Sequence, residues 1–168
     1  MNHLVQHVAI IMDGNRRWAK LNKFSYEEGY KRATLSIKEA VNAALECNVP
    51  YLTLFAFSTD NNQRNSKEVL LLKKLIKYYL NTETKALVES GVKFTVIGNY
   101  YEFDKKIALE LDAVQEKSSQ NSKLNLIIAL NYSGKADLLQ AINKVVSERV
   151  NNNLNNEVNH IELENNLF

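Results

Sequence analysis

Four apolar runs punctuate the chain, and each is followed by a stretch whose apolar residues recur at helical spacing. The runs are Val8 to Met12, Tyr51 to Phe57, Lys93 to Ile97 and Leu124 to Leu130. They are short, β-rich and bounded by polar turns, which predicts strands. After the first, Ala33, Ile37, Val41 and Ala44 repeat with the period of a helix. Val69, Leu72, Leu75, Ile76 and Tyr79 do the same after the second, Ile107, Leu111 and Val114 after the third, and Leu138, Ile142 and Val145 after the fourth. Ser25 with Glu28, and Asn65 with Glu68, have the spacing of capping boxes at two helix starts. Such alternation predicts an α/β fold: a mostly parallel central sheet with helices on both faces. Residues 1–150 read as one domain without repeat or linker. Residues 151–168 read as a loosely structured tail, because eight of those eighteen residues are Asn. Within it Ile161, Leu163 and Leu167 mark a short amphipathic helix, too short to persist without a partner.

Composition narrows the picture. A chain of 168 residues suits one domain with a sizeable core. A net charge of +2 is too small to indicate nucleic acid, so any anion preference is local. Cys47 is the only cysteine, which rules out an internal disulfide and fits a reducing, cytoplasmic setting. Near a helix end, it reads as a small buried apolar residue rather than a catalytic thiol. No signal-peptide pattern opens the chain, and its apolar stretches fall far short of the ~20 residues that span a bilayer.

The first strand ends in chemistry. In His7-Val8-Ala9-Ile10-Ile11-Met12-Asp13-Gly14-Asn15-Arg16-Arg17-Trp18-Ala19-Lys20, Asp13 falls at the carboxyl edge of the sheet, where open α/β folds bind ligands. Gly14 permits a tight turn, and a helix opening there offers free N–H groups to an anion. Arg16, Arg17 and Lys20 add charge, and arginine forks match phosphate oxygens. An acid beside a diphosphate needs a bridging cation, and Mg²⁺ is the usual one. Two readings stay open from the residues alone. Either this is a cation-assisted phosphate site, or Asp13 caps the helix and the arginines form a solvated face. No G-x-x-x-x-G-K-[ST] or G-x-G-x-x-G loop is present. An aspartyl nucleophile is a further alternative, although the position two residues on is Asn15 rather than an acid. The second strand, Tyr51 to Phe57, likewise delivers Ser58, Thr59, Asp60, Asn61 and Arg64 to a polar loop, or to an ordinary capped turn.

The first stretch resembles the M-D-G-N-x-R-W-A-K signature of the cis-prenyltransferases. The second resembles their L-T-x-Y-A-F-S-x-E-N-W-x-R-P-x-x-E-V. A third, Leu126 to Asp137, resembles their N-I-A-x-N-Y-G-G-R-x-D. The resemblance implies that an allylic prenyl diphosphate such as farnesyl diphosphate is condensed with isopentenyl diphosphate to form a cis-polyprenyl diphosphate. It implies that Asp13 is the essential acid and Mg²⁺ ligand, and that Gly14, Asn15, Arg16 and Arg17 cradle the diphosphate, with Trp18 beside the substrate. It further implies that Ser58, Thr59, Asp60 and Arg64 bind substrate and that Asn61 helps remove the proton from isopentenyl diphosphate. Trp18, taken by itself, reads more simply as core. The helices Tyr26 to Glu46 and Ser66 to Glu89 become candidate walls of a prenyl tunnel, or ordinary core. Gly134 is expected to serve a turn, and Asp137 the first turn of the following helix. A homodimer and transient contact with a membrane surface belong to the same expectation.

Departures accompany the match. Asp60 stands where the family has Glu, Asn62 where it has Trp and Asn65 where it has Pro. Ala33 replaces a Gly. Tyr26 and Tyr30 stand where an Arg and a His are usual, and tyrosine carries no charge at neutral pH. Nothing matches the family's later R-x-S-N-F segment, so the chain reads as C-terminally truncated. The rival readings are therefore a non-catalytic remnant or partner-dependent subunit, and an unrelated phosphate-binding α/β enzyme.

Overall fold

The computed structural model describes residues 5–59, 66–154 and 157–168. Four strands, β1 (His7–Ile11), β2 (Tyr51–Ser58), β3 (Val92–Ile97) and β4 (Leu124–Tyr132), form one sheet in the order β1-β2-β4-β3. Every pairing is parallel, with Ile10 opposite Leu54, and Leu54 and Val96 both opposite Ile128. Parallel neighbours need long crossovers, and the helices supply them. These are α1 (Asn15–Leu21), α2 (Tyr26–Glu46), α3 (Ser66–Glu89), α4 (Tyr100–Phe103), α5 (Lys105–Ser118), α6 (Gly134–Asn151) and α7 (His160–Glu164).

One apolar cluster holds the layers together. Leu52 and Leu54 of β2, Leu124 and Leu126 of β4, and Val92 and Phe94 of β3 are buried against Val41 of α2 and against Ile107 and Leu111 of α5. Leu72, Ile76 and Leu80 of α3 complete it from half-buried positions. For α2, α3 and α5 these are the predicted helix stripes facing the predicted strands, whereas of the stripe predicted on α6 only Val145 is buried and Leu138 and Ile142 are exposed. The α6 helix buries Ala141 and Val145 apart from this cluster.

Four expectations need correction. Cys47 is exposed at the C-terminus of α2, where the chain turns through Asn48 (φ 53) before Val49 re-enters the core. Gly134 serves no turn. It is the first residue of α6, with open space where a Cβ would lie, and Ser133 caps the helix by accepting from the Ala136 N–H at 3.2 Å. Ser25 accepts from the Glu28 N–H, but the Glu28 carboxylate turns to Arg32, so half of that box is made. The tail is more structured than its asparagines suggest, because it has a partner. Arg149 of α6, a buried side chain, donates to both carboxylate oxygens of Glu162 at 2.8 and 2.9 Å, and Asn159 and Glu162 make a full capping box at the start of α7. Leu163 and Leu167 are half-buried, while Ile161 stays exposed.

Candidate active site

A cavity of about 1100 Å³ lies between the sheet and the helices α2, α3 and α5. Its wall is mostly apolar, with Ile37 and Val41 from α2, Leu72 and Ile76 from α3, and Leu126 and Ile128 from the sheet. Its polar mouth lies at the carboxyl edge of β1 and β2. There Asp13, Gly14, Asn15, Arg16, Arg17 and Ser58 line it together with Tyr30 and Glu68. The register of β2 slips between Phe55 and Ser58, a bulge that re-aims the strand's last residues beside the mouth.

Gly14 is left-handed (φ 88) and is the N-cap of α1, with no side-chain cap. Asp13 is thus not the capping residue. Its Oδ1 accepts from the Gly14 N–H, and its Oδ2 accepts from Arg17 at 3.2 Å. Both side chains are largely solvent-exposed, so the pair contributes little to stability and can rearrange around a ligand. Arg16 lies over the Tyr26 ring at 5.0 Å and 3.9 Å from the Glu68 carboxylate. Hydrogen bonding to Tyr26, then the charge of Glu68, holds the Arg16 guanidinium above its ordinary range. The Tyr30 hydroxyl donates to Glu68 at 2.9 Å. The two tyrosines that depart from the family pattern therefore do specific things here: one positions Arg16 and the other fixes Glu68. Glu68 is the helix-start acid read from sequence, in the first turn of α3, and it also brings negative charge to the mouth.

Other expected residues fall elsewhere. Trp18 does not line the cavity. It stacks on Phe24 at 5.7 Å, with Arg32 over its face at 5.6 Å. Thr59 follows Ser58 but is not on the cavity wall among the described residues. Asp60, Asn61 and Arg64, with Asn62 and Asn65, lie outside the described residues. Deeper in, the wall carries polar groups that periodicity did not single out. Lys38 of α2 and Glu83 of α3 form an ion pair at 2.8 Å. The Tyr79 hydroxyl hydrogen-bonds Thr34, and burial pushes its pKa up. A charge at an otherwise apolar stripe position was the available signal.

Among the described residues no three His, Cys, Asp or Glu side chains gather as a metal cage. Asp13 instead offers one exposed carboxylate at the mouth. Mg²⁺ is commonly held by one or two carboxylates together with substrate phosphates, so this donor set fits a phosphate-bridged ion. No helix among the described residues is long and apolar enough to cross a membrane.

The prenyltransferase family model for undecaprenyl diphosphate synthase matches residues 11–168. The chain belongs to that family. It is 39% identical over 158 residues to the ditrans,polycis-undecaprenyl-diphosphate synthase ((2E,6E)-farnesyl-diphosphate specific) of Coxiella burnetii, covering 94% of this chain and 67% of that one. It is 35% identical over 156 residues to an isoprenyl transferase of Rickettsia typhi, covering 93% and 69%. The crystal structure of lavandulyl diphosphate synthase from Lavandula x intermedia in complex with dimethylallyl diphosphate superposes with a TM-score of 0.91 at 26% identity. That match covers 98% of this chain and 71% of the other. The chain spans between 53% and 69% of the length of eight of its curated relatives, the two named above among them. The α/β fold and parallel sheet predicted from the alternation of apolar runs and helical periods are thus those of a prenyltransferase.

Proposed function

We propose that this chain is an isoprenyl transferase that joins an allylic prenyl diphosphate, such as farnesyl diphosphate, to isopentenyl diphosphate. One observation carries the reading: an arginine- and glycine-lined mouth opens directly onto a long apolar cavity. A prenyl diphosphate has that polarity, an anionic head on an apolar chain. In the reaction C1 of the allylic substrate loses diphosphate and bonds to C4 of isopentenyl diphosphate, which gives up a proton to form the new double bond. Arg16 and Arg17 bind the departing diphosphate, and Gly14 lets the backbone approach it. Because α1 has only seven residues, the guanidinium groups carry most of the attraction rather than the helix dipole. Asp13 would hold Mg²⁺ against the diphosphate, and the ion would supply positive charge to the leaving group. By family resemblance Asn61 assists the proton's departure, Asp60 and Arg64 bind substrate, and Thr59 and Trp18 stand near it.

A cytoplasmic setting and a second copy of the chain as partner belong to the same proposal. The second copy is supported by an exposed apolar stripe on α6. A second reading, a subunit that needs a partner for turnover, is favoured by Glu68, which offsets the charge of Arg16. One set of titrations tests both. Farnesyl diphosphate with Mg²⁺ should bind the full chain, and Arg17→Ala should weaken it by about 1.5–3 kcal/mol, the usual loss for a charge-assisted hydrogen bond. Unchanged affinity would remove the cradle assignment. Incorporation of labelled isopentenyl diphosphate, abolished by Asp13→Ala without a change in melting, separates the transferase from the subunit that binds but does not turn over.

A further inference from the structure

The Lys38–Glu83 pair stands in an unexpected place. Leu72, Ile76, Leu80, Glu83 and Leu87 follow one another at intervals of four, four, three and four residues, so they share one face of α3. Four of the five are leucine or isoleucine, and all line the cavity. Glu83 is the charged member of that stripe. Its side chain is 23% exposed and that of Lys38 is 46% exposed, so water reaches the pair from one side. Glu83 lies fifteen residues beyond Glu68 at the mouth, about 22 Å along the helix at 1.5 Å per residue. The cavity does not end there. Asn42, one turn past Lys38, lines it, and so do Leu87 and Ser90 past Glu83. One turn nearer the mouth, Thr34 and Tyr79 make a second polar bridge between the same two helices.

We propose that the Lys38–Glu83 ion pair is a crossbar that limits how far an apolar chain threads into the cavity, and so sets the prenyl length this protein holds best. The inference rests on the prenyl diphosphate reading for its ligand. Up to the pair, each isoprene unit leaves water for an apolar wall, which is favourable. Past the pair, the chain must strip water from a carboxylate and an ammonium without offering either a hydrogen bond, which is unfavourable. The gain per unit therefore vanishes at the pair although empty cavity remains beyond it. Lys38 and Glu83 determine specificity; they do not touch the reacting carbons.

Calorimetric titration of the full chain with all-trans prenyl diphosphates of increasing length tests this, with the matched prenyl alcohols as a second arm. In the unmodified protein affinity should rise about tenfold or more per added isoprene unit and then level off. In the double variant Lys38→Leu/Glu83→Leu the rise should continue for at least one further unit. The exchanged pair, Lys38→Glu/Glu83→Lys, keeps both charges and should keep the original break, while circular dichroism confirms that both variants fold. Three results would overturn the crossbar. They are affinity that climbs without a break, a double-leucine variant that tightens every length equally, and an exchanged pair that moves the break as far as the leucines do. Alcohols that show the break while diphosphates fail to bind would uphold the crossbar and remove the diphosphate reading instead.

Discussion

Gly29 shows how closely the mouth depends on single atoms. It lies in α2, and a Cβ there would stand 2.8 Å from Cβ of Ala19 and 2.9 Å from the carbonyl oxygen of Asn15. Neither neighbour is the end of a flexible side chain, so α1 would have to move. Two effects oppose each other in Gly29→Ala. Alanine gains about 1 kcal/mol of helix propensity, while overpacking costs about 1–3 kcal/mol. We expect the clash to win, giving a modest fall in melting temperature. Because the displaced helix carries Arg16 and Arg17, affinity for farnesyl diphosphate should fall by about tenfold. A variant that melts higher and binds normally would show that α1 is not held by this contact. Residue-scale details of this kind divide into those a sequence exposes and those it conceals. Asp13, Gly14, Arg16 and Arg17 are near neighbours in the chain and line the mouth together, so their grouping was legible. Tyr30, Glu68, Lys38 and Glu83 meet only because two helices run side by side, and nothing in their local sequence pairs them. Cys47 and Trp18 looked like core residues by type, but a helix end and an aromatic stack on the surface hold them instead. Asn131 was read as part of a family motif. It takes a left-handed conformation (φ 51) and bonds Asn99 through both side chain and backbone, closing the ends of β3 and β4.

At the scale of elements, the helices that wall the cavity are held by polar ties as well as by apolar packing along their length. The α3 helix is tied to α5 through Lys73, which meets Asp104 at 3.2 Å and lies over the Phe103 ring at 5.2 Å. Asp104 is also the N-cap of α5, accepting from the Lys106 and Ile107 N–H groups at 3.0 and 3.2 Å. The Ile107 N–H, with help from Lys73, holds the Asp104 carboxyl below its ordinary 3.8. The sign of the linkage follows. A carboxyl whose folded pKa is depressed adds stability above its unfolded value, and that stability is lost as pH falls through the folded value. Replacing Asp104 by Ala should cost about 0.5–2 kcal/mol near neutral pH, the range for losing an N-cap. The gap between the two proteins should then narrow as pH drops below about 4, the free aspartate range. Denaturant melts at several pH values measure it, and a constant gap would mean that the Asp104 charge plays no part. The extents of α2 and α3 were legible because their apolar periods run unbroken for many turns. The attachment of α7 was not, because it depends on Arg149 and Glu162, which lie on different helices and take no part in an apolar pattern.

For the whole molecule, the distribution of apolar surface separates what is filled from what is left open. One face of the sheet is closed by α2, α3 and α5 around the cavity. On α6, by contrast, Leu138, Ile142, Val146 and Val150 recur every fourth residue, and each is between 47% and 69% exposed. Residues at that spacing form one continuous stripe. Its length from Leu138 to Val150 is about 18 Å. Scattered apolar side chains on a surface need no explanation, but a contiguous stripe marks a contact surface. The opposite side of the same helix is already engaged, since Ala141 and Val145 are buried and Arg149 holds Glu162. A second copy of the chain is the simplest cover, because two stripes related by a two-fold axis bury each other and close the assembly. Sedimentation of the full chain should therefore show a concentration-dependent dimer. The paired change Ile142→Glu/Val146→Glu should shift it to monomer, since charges buried in an apolar interface are costly. Both positions face water in the single chain, so helix content and farnesyl diphosphate affinity should be unchanged in the monomer. A wild-type chain that stays monomeric at high concentration would assign the stripe to some other partner, and loss of helix content in the variant would show that α6 is packed more tightly than its exposure implies.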